Sequence, residues 1–324
     1  MKELLHDFLE FYRNSLLIGY FRKRGKSLVI PQIVFCIERL LEQNPEIEKI
    51  RILDLGTGEG HLLRVIQQIG KISGFSSKLE LYGFDFDEEM LESAVKQNNI
   101  KAEFVKIDLR HDTLASYYGH FDIVVAVNTL HEVYSSYLGE KNKIYPREKV
   151  KFAKDKIFSL IKEIGKTLTE NGSFILYDGL AARDEMLGKK IKFRIKNPIL
   201  DRYFKQALSD FTLWNIDFEK KSDVITMKYV DFSWFVITFK YLNTKLWPFE
   251  CAQTYQYFSK TDFAKAFHDA GLMRESLVYL SNDLGLWKNN IELVGKSLDF
   301  PPKAVMIVGS RRYIPSQYDY FAAK

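Results

Sequence analysis

The sequence predicts an α/β protein with a doubly wound, mostly parallel sheet, and three observations point to this fold class. Short apolar runs alternate with helix-like segments between about residues 50 and 180. A glycine-rich turn follows the first apolar run, and an acidic residue stands at or near the end of each of the first three runs. Strands buried on both faces are near-continuous apolar runs, and ligands bind beyond the carboxyl ends of such strands.

The predicted elements follow a regular order through the fifth strand. Apolar residues recur at helical spacing in two segments before the first strand, the first carrying Leu4 and Phe8 and the second Val34 and Ile37. Pro31 fits the first turn of the second helix. Further helices are predicted near 60–70, 87–97 and 150–170. Strands are predicted at 50–55, 79–84, 103–107, 122–127 and 173–178.

The alternation stops after the fifth strand. Residues 181–258 are rich in aromatic and basic side chains. The next segment predicts a capped helix from about Thr261 to a C′ glycine at Gly271, because serine or threonine favours a helix start and glycine a helix end. Two strand-like runs, at 277–280 and 304–308, follow this helix.

Composition excludes several classes of protein. A chain of 324 residues that is 46% apolar and 27% charged can bury a large core, which excludes a disordered or collagen-like protein. The two cysteines, Cys36 and Cys251, form no CxxC pair, which excludes a disulfide scaffold and a thiolate zinc site, and we expect both to be buried. No apolar segment is long enough to span a membrane, and the N-terminus lacks the pattern of a signal peptide. We therefore expect a cytoplasmic protein.

A glycine turn directly follows the first predicted strand. Residues 54–60 read Asp-Leu-Gly-Thr-Gly-Glu-Gly, and glycines at such a turn let a ligand approach the backbone amides closely. The spacing is GxGxG with His61 after it, so the dinucleotide fingerprint GxGxxG is not met. Asp54 replaces the apolar residue usual in dinucleotide loops, and its carboxylate could attract a cationic ammonium group.

Two more acids end the second and third strands. Asp85 could accept hydrogen bonds from both hydroxyls of a ribose, and Asp108 ends the third strand. Asp87 competes with Asp85 only if the second strand runs two residues longer, which Gly83 disfavours. Because carboxyl ends of parallel strands meet at one edge, we expect these acids and the glycine turn to form one site.

These motifs together resemble the class I S-adenosylmethionine-dependent methyltransferase superfamily. The matching stretches are DLGTGEG at 54–60, GFDFDEEML at 83–91, VKIDL at 105–109, FDIVVAVNTLHEV at 121–133 and GSFILYDG at 172–179. The resemblance covers about 50–180 and 259–310. It implies a seven-stranded, Rossmann-like sheet with a final antiparallel strand, N-terminal helices and an inserted lid region. It also implies S-adenosylmethionine as cofactor. No metal is expected, because the histidines other than His131 have no metal-ligand spacing and no HExxH motif occurs.

The resemblance assigns the first five cofactor-binding residues to the glycine turn and the strand before it. Gly56, Gly58 and Gly60 would pack against the methionine part of the cofactor, with Thr57 between them. Asp54 would lie near the amino group of that part.

The other five implied cofactor-binding residues follow the next three strands. Asp85 would bind the ribose, and Phe86 would lie against the adenine. Asp108 and Leu109 would contact the amino edge and the ring of the adenine, while Asn128 would lie near the sulfonium.

On this basis we divide the chain into four parts. They are an N-terminal helical cap (1–49), an S-adenosylmethionine-binding core (50–180), an inserted aromatic and basic lid or acceptor-binding region (181–258) and a C-terminal part that completes the sheet (259–324).

Candidate catalytic groups follow the fourth strand. Methyl transfer is an in-line displacement that needs alignment and exclusion of water, and a base where the acceptor must lose a proton. His131 titrates near neutral pH and is the expected base, and Glu132 could orient it. The alternative is that His131 packs at a helix start and Glu132 responds to the helix dipole. Tyr177 and Asp178 could line the acceptor site.

The sequence leaves three functions open. The first is methyl transfer to an oxygen or nitrogen of a small molecule or peptide, with aromatic residues of 181–258 enclosing the acceptor. The second is RNA methylation using the basic segment 189–205, which holds seven basic residues and one acid but is also explained as a solvated face. The third is a non-catalytic, cofactor-binding regulator or scaffold. The modest net charge of +5 favours the first over the second, and the oligomeric state stays open.

Overall fold

The structure is a computed structural model that describes residues 28–96, 100–139, 141–182, 184–186, 188–280, 283–295 and 298–312. The first predicted helix, with Leu4 and Phe8, lies outside these residues. Among the described helices, none is long and apolar enough to cross a membrane.

The helices and strands alternate as expected through β5. The α-helices are α1 (Val29–Gln43), α2 (His61–Ile72), α3 (Glu88–Lys96), α4 (Leu130–Leu138), α5 (Arg147–Thr167), α6 (Pro198–Asp210), α7 (Tyr229–Thr238), α8 (Trp247–Cys251), α9 (Lys260–Asp269) and α10 (Leu284–Asn290). The strands are β1 (Ile50–Leu55), β2 (Leu79–Asp85), β3 (Ala102–Lys106), β4 (Phe121–Val127), β5 (Leu168–Gly179), β6 (Lys190–Ile195), β7 (Phe218–Lys221), β8 (Val224–Lys228), β9 (Met273–Leu280), β10 (Ile291–Leu293) and β11 (Ala304–Ser310).

The main sheet has seven strands in the order β3-β2-β1-β4-β5-β11-β9. Strands β1 to β5 pair in parallel, and β11 is antiparallel to both of its neighbours. This confirms the doubly wound, mostly parallel sheet with an antiparallel strand late in the chain. The carboxyl ends of β1 to β5 therefore share one edge.

Apolar side chains cover both faces of this sheet, which explains the apolar run at residues 123–127 of β4. Ile123 and Val125 pack on the face covered by α1 and α2, whereas Val124 and Ala126 pack on the face covered by α4 and α5. Strand side chains alternate between faces, so a strand buried on both needs an apolar residue at every position.

The structure shifts some predicted boundaries and adds several helices that were not predicted, among them α4. Strand β1 has the predicted bounds, but β5 begins at Leu168, five residues before its predicted start. Helix α4 was not among the predicted helices, because its nine residues are too few to show a long periodic pattern. Helix α9 carries the predicted caps: Ser259 and Asp262 form a capping box, and Gly271 has φ +70°.

The aromatic segment after β5 builds a second sheet, and its buried side chains join the core on the face of the main sheet that α4 and α5 cover. Strands β10, β6, β8 and β7 pair antiparallel in that order, so one strand comes from beyond residue 258. All ten residues of α7 are buried. Phe193 of β6 packs against Phe232 of α7 with ring centroids 4.9 Å apart, so many of these aromatic residues stabilise the segment itself.

Asp231 in α7 makes the stability of this segment depend on pH. Its side chain is buried, Oδ1 accepts a hydrogen bond from Trp214 Nε1 at 2.7 Å, and Oδ2 has no hydrogen-bond partner among the described residues. Burial raises the pKa of this carboxyl to about 6 from 3.8. The folded state therefore holds the proton more tightly than the unfolded state, so stability is highest below pH 3.8 and falls as pH rises through 6.

We expect Asp231→Asn to become more stable relative to the wild type as pH rises from 4 to 7. The predicted gain over this interval is about 2 kcal/mol, because the variant has no buried charge to form. Urea unfolding at several pH values measures it. Asp155→Asn, which alters an exposed helix carboxylate, is the control and should show no comparable trend. A free-energy difference for Asp231→Asn that does not change with pH would contradict the prediction.

Candidate active site

The predicted site residues meet at the carboxyl edge of the main sheet. The glycine turn follows β1, Asp85 ends β2, Asp108 follows β3, Asn128 follows β4 and Asp178 lies near the end of β5. Because these strands are parallel and belong to one sheet, residues up to 124 positions apart in the sequence lie along the same edge.

The glycine turn has a conformation that requires glycine and leaves open space beside it. Gly56, Gly58 and Gly60 have φ values of +70°, +52° and +71°. A Cβ atom on Gly56 would stand 2.4 Å from Oγ1 of Thr129, whereas one on Gly58 would meet no atom within 4 Å. A ligand can therefore approach the backbone at Gly58.

Two acids hold the turn in place. The Asp54 side chain is buried, and its Oδ2 accepts a hydrogen bond from the Thr57 hydroxyl at 2.9 Å. Asp85 Oδ2 accepts from the backbone N–H of Gly58 at 2.8 Å, and Oδ1 accepts from that of Asp87 at 3.0 Å. Strand β2 ends at Asp85, so Asp85 rather than Asp87 faces the turn.

Asp87 has a separate role at the start of α3. Its Oδ1 accepts hydrogen bonds from the backbone N–H groups of Glu89 at 3.0 Å and Met90 at 3.2 Å. These contacts satisfy free N–H groups of the first helical turn, as an N-terminal cap does.

Asp108 pairs with Arg110, a residue that the sequence analysis missed. The Arg110 guanidinium donates from Nε to Oδ1 at 2.7 Å and from Nη2 to Oδ2 at 2.5 Å, and this hydrogen bonding lowers the pKa of Asp108. The same guanidinium lies 5.1 Å from the ring centroid of Phe86, whose side chain is 53% exposed. Leu109 packs against the main core. In the sequence, this pair was visible only as an acid and an arginine two positions apart after a predicted strand.

The turn between β4 and α4 ties three strand ends together. Asn128 has φ +56°, and its backbone N–H donates to the carbonyl of Tyr177 at 2.8 Å. The Thr129 hydroxyl donates to the carbonyl of Leu55 at 2.9 Å. Asparagine adopts this left-handed conformation more readily than most residues, which suits it to the position.

His131 and Asp178 form a fully buried pair beside this turn. Their side chains are 1% and 0% exposed, and Nδ1 lies 2.6 Å from Oδ1. Asp178 also accepts from the backbone N–H groups of Leu130 at 2.8 Å and Gly179 at 2.6 Å, which anchors the start of α4 to β5. Because an ionised carboxylate only accepts, the hydrogen of the neutral imidazole is on Nδ1 and the lone pair on Nε2.

The Nε2 atom of His131 is buried and has no hydrogen-bond partner within the described part of the chain. The ring stacks on Tyr255 with centroids 4.1 Å apart. Burial lowers the pKa of His131, but the charges of Asp178, Glu132 and Glu250 and the hydrogen bond to Asp178 outweigh it, so the pKa is raised overall. A buried lone pair without a donor is uncommon and points to a ligand or a reacting group.

Two further candidate residues, Glu132 and Tyr177, lie in surroundings that differ from those of the His131–Asp178 pair. The side chain of Glu132 is exposed, and Asp178 supplies the hydrogen bond to the imidazole that Glu132 was expected to make. Tyr177 packs on the opposite face of the sheet from the His131–Asp178 pair, in the core beneath α1 and α2. Neighbouring residues on a strand point to opposite faces, so Tyr177 and Asp178 cannot both face His131.

No group of three or more potential metal ligands occurs within the ranges that the structure describes.

The strand order β3-β2-β1-β4-β5, with a glycine turn after β1 and acids at the same edge, defines a doubly wound α/β protein. A family model for a methyltransferase domain matches residues 32–277, so the chain belongs to this family. It is a methyltransferase, and its cofactor is S-adenosylmethionine. None of the curated proteins compared with the chain matches it.

Solved structures of methyltransferases resemble the chain in architecture. An S-adenosylmethionine-dependent enzyme from Mesorhizobium loti is 13% identical, covers 85% of this chain and 96% of its own, and has a TM-score of 0.45. One from Aquifex aeolicus is 14% identical, covers 85% of this chain and 89% of its own, and has a TM-score of 0.38. One from Methanosarcina mazei is 13% identical, covers 84% of this chain and 96% of its own, and has a TM-score of 0.41.

Proposed function

We propose that this methyltransferase transfers the methyl group to an oxygen or nitrogen of a small molecule or peptide, with a hydroxyl oxygen as the favoured acceptor. The observation that carries the proposal is the unpartnered, buried Nε2 of His131. A base held in this way is needed only if the acceptor has a proton to lose.

The residues at the sheet edge fit the cofactor. When bound, S-adenosylmethionine supplies an activated methyl group on a sulfonium. The left-handed turn with open space at Gly58, the carboxylates behind it and the exposed ring of Phe86 match its amino acid, ribose and adenine parts in chemistry. The proposed binding residues are Asp54, Gly56, Thr57, Gly58, Gly60, Asp85, Phe86, Asp108, Leu109 and Asn128.

His131 would act as the general base, and Asp178 would position it. Nε2 would accept the acceptor's proton as the methyl group is transferred, and Asp178 would stabilise the resulting imidazolium while fixing the ring through Nδ1–H. A neutral amine already offers a lone pair, whereas a hydroxyl becomes a strong nucleophile only as its proton leaves. The buried base therefore supports a hydroxyl acceptor over an amine.

The segment 181–258 would close the acceptor side of the site. Tyr255 stacks on His131, and its hydroxyl donates to Oε2 of Glu250 at 3.2 Å. Both residues belong to this segment, which supports its assignment as a lid or acceptor-binding region. Burial of these groups would exclude water from the reaction.

No observation favours the two alternative functions. In the basic segment 189–205, Arg194 pairs with Asp223 at 2.8 Å and Lys190 with Glu219 at 3.7 Å, which reduces the charge available to RNA phosphates. A scaffold that only bound the cofactor would have no use for an unpartnered imidazole nitrogen. A cytoplasmic location stays a prediction from the sequence.

The pH dependence of methyl transfer tests the proposed base. The base must be unprotonated, so kcat/KM for the acceptor should rise with pH, with a midpoint above the ordinary histidine value of 6.5. Asp178→Asn should lower the rate and move the midpoint to lower pH, because it removes the strongest charge that raises the pKa of His131. Glu148→Gln, at an exposed carboxylate of α5, should change neither the rate nor the midpoint. A pH-independent rate between 5 and 9 in the wild type would contradict the proposal.

A further inference from the structure

Three charged side chains meet beyond the carboxyl end of β5. Lys240 follows α7, Asp283 precedes α10, and Lys303 precedes β11. The Nζ atoms of Lys240 and Lys303 lie 2.6 Å and 2.5 Å from the same oxygen, Oδ2 of Asp283. The three side chains are only 22%, 13% and 18% exposed in the order Lys240, Lys303 and Asp283.

This cluster carries one more positive charge than negative charge in a poorly solvated place. Burial, together with the charge of Lys240, lowers the pKa of Lys303 to about 8. Each ammonium group has three N–H donors, and the contact with Asp283 uses one of them on each lysine. Glu250 is a further buried acid whose pKa the charge of Lys240 lowers, so the feature that suits a ligand carboxylate is the set of N–H donors that Asp283 does not use.

The cluster lies in the same region as the His131–Asp178 pair. The backbone N–H of Leu180, two residues after Asp178, donates to the carbonyl of Lys303 at 3.2 Å. The Nζ of Lys240 lies 4.9 Å from the ring centroid of Tyr241. The charges of His131 and of Lys240 both lower the pKa of Glu250, which burial raises. Lys240 and His131 are thus both close enough to Glu250 for their charges to act on its carboxyl group.

We propose that Lys240 and Lys303 bind a carboxylate group of the methyl acceptor, so that the substrates are aromatic hydroxy acids. The two ammonium groups would hold the carboxylate beside Asp283, and Tyr241 and Tyr255 would contact the aromatic ring. His131 would face the hydroxyl at the other end of the molecule. The hydroxyl part of this inference rests on the function proposed above, whereas the carboxylate part rests on the cluster alone.

Calorimetric titration of the S-adenosylmethionine-loaded protein with benzoate tests the carboxylate site. We expect saturable binding of benzoate and at least tenfold weaker binding of neutral benzamide. Lys303→Met and Lys240→Met should each weaken benzoate binding by about tenfold or more, since each removes a charge-assisted hydrogen bond. Lys303→Arg should retain most of the affinity, and Lys245→Met, at an exposed lysine, should retain all of it.

The same titration separates this inference from the proposed base. His131→Ala should bind benzoate as tightly as the wild type. This expectation holds whether the variant has lost or kept methyl transfer. Asp283→Asn should bind benzoate at least as tightly as the wild type, because it removes the competing carboxylate. A loss of affinity in this variant, with unchanged thermal unfolding, would overturn the proposed carboxylate site. Equal binding of benzoate and benzamide, absence of benzoate binding, or unchanged affinity in Lys303→Met would also overturn it.

Discussion

Replacing His131 by alanine is expected to lower the rate of methyl transfer by about 100-fold to 10,000-fold, the usual contribution of a general base. The side chain is fully buried, its Nδ1 is held by Asp178, and its Nε2 has no partner among the residues described. The affinity for S-adenosylmethionine should stay close to that of the wild type, because His131 lies in α4, whereas the proposed ribose and adenine contacts lie at the ends of β2 and β3. Single-turnover transfer at saturating cofactor measures the effect on the chemical step alone.

The matched control for this variant is His268→Ala, which removes an imidazole that is 89% exposed on α9. Its transfer rate should equal that of the wild type. Circular dichroism of both variants checks that the fold survives the loss of the buried ring. If folded His131→Ala protein transferred methyl groups at the wild-type rate, His131 would be a packing residue and the proposed base would be wrong.

The second large effect is expected from Asp85→Ala, which should weaken S-adenosylmethionine binding by about 100-fold. Each hydrogen bond to a charged carboxylate contributes about 1.5 to 3 kcal/mol, and the variant loses the proposed ribose contacts. It also releases the N–H of Gly58, which Asp85 holds at 2.8 Å. Isothermal titration calorimetry measures the affinity directly.

Asp87→Ala separates the ribose contact from a general effect of removing an acid. Asp87 caps α3 through the N–H groups of Glu89 and Met90, so this variant should lose about 1 kcal/mol of stability. Its affinity for S-adenosylmethionine should change little. Equal losses of affinity in the two variants, or an unchanged affinity in Asp85→Ala, would contradict the assignment of Asp85.

The sequence was sufficient for features that depend on local patterns. The apolar run of β1 and the glycines after it allowed the turn to be located in the sequence. Glycine is informative here because the backbone conformation and close packing at Gly56 exclude a residue with a Cβ atom. Asp85 and Asp108 could be placed at one edge, since parallel strands end together. The helix after Ser259 was predictable from its capping residues, which act within a few positions of each other.

Contacts between distant residues could not be predicted in this way. His131 and Asp178 are 47 positions apart, and they meet only because β4 lies beside β5 and α4 starts above β5. Lys303 is 20 positions from Asp283, and Lys240 is 43 positions from it. The aromatic residues of the inserted segment showed no strand pattern in the sequence. The pairing of β6 with β10 was not predictable either, because it joins positions almost a hundred residues apart.

A crystal structure of the protein with S-adenosylhomocysteine, the product of methyl donation, tests the central claim most directly. The account predicts that the two ribose hydroxyls lie within hydrogen-bond distance of the Asp85 carboxylate and that the amino acid part lies against the backbone at Gly58. It also predicts that the sulfur lies on the side of the site that faces His131. A nucleoside bound at another edge of the sheet, or a glycine turn left empty at saturating ligand, would contradict it.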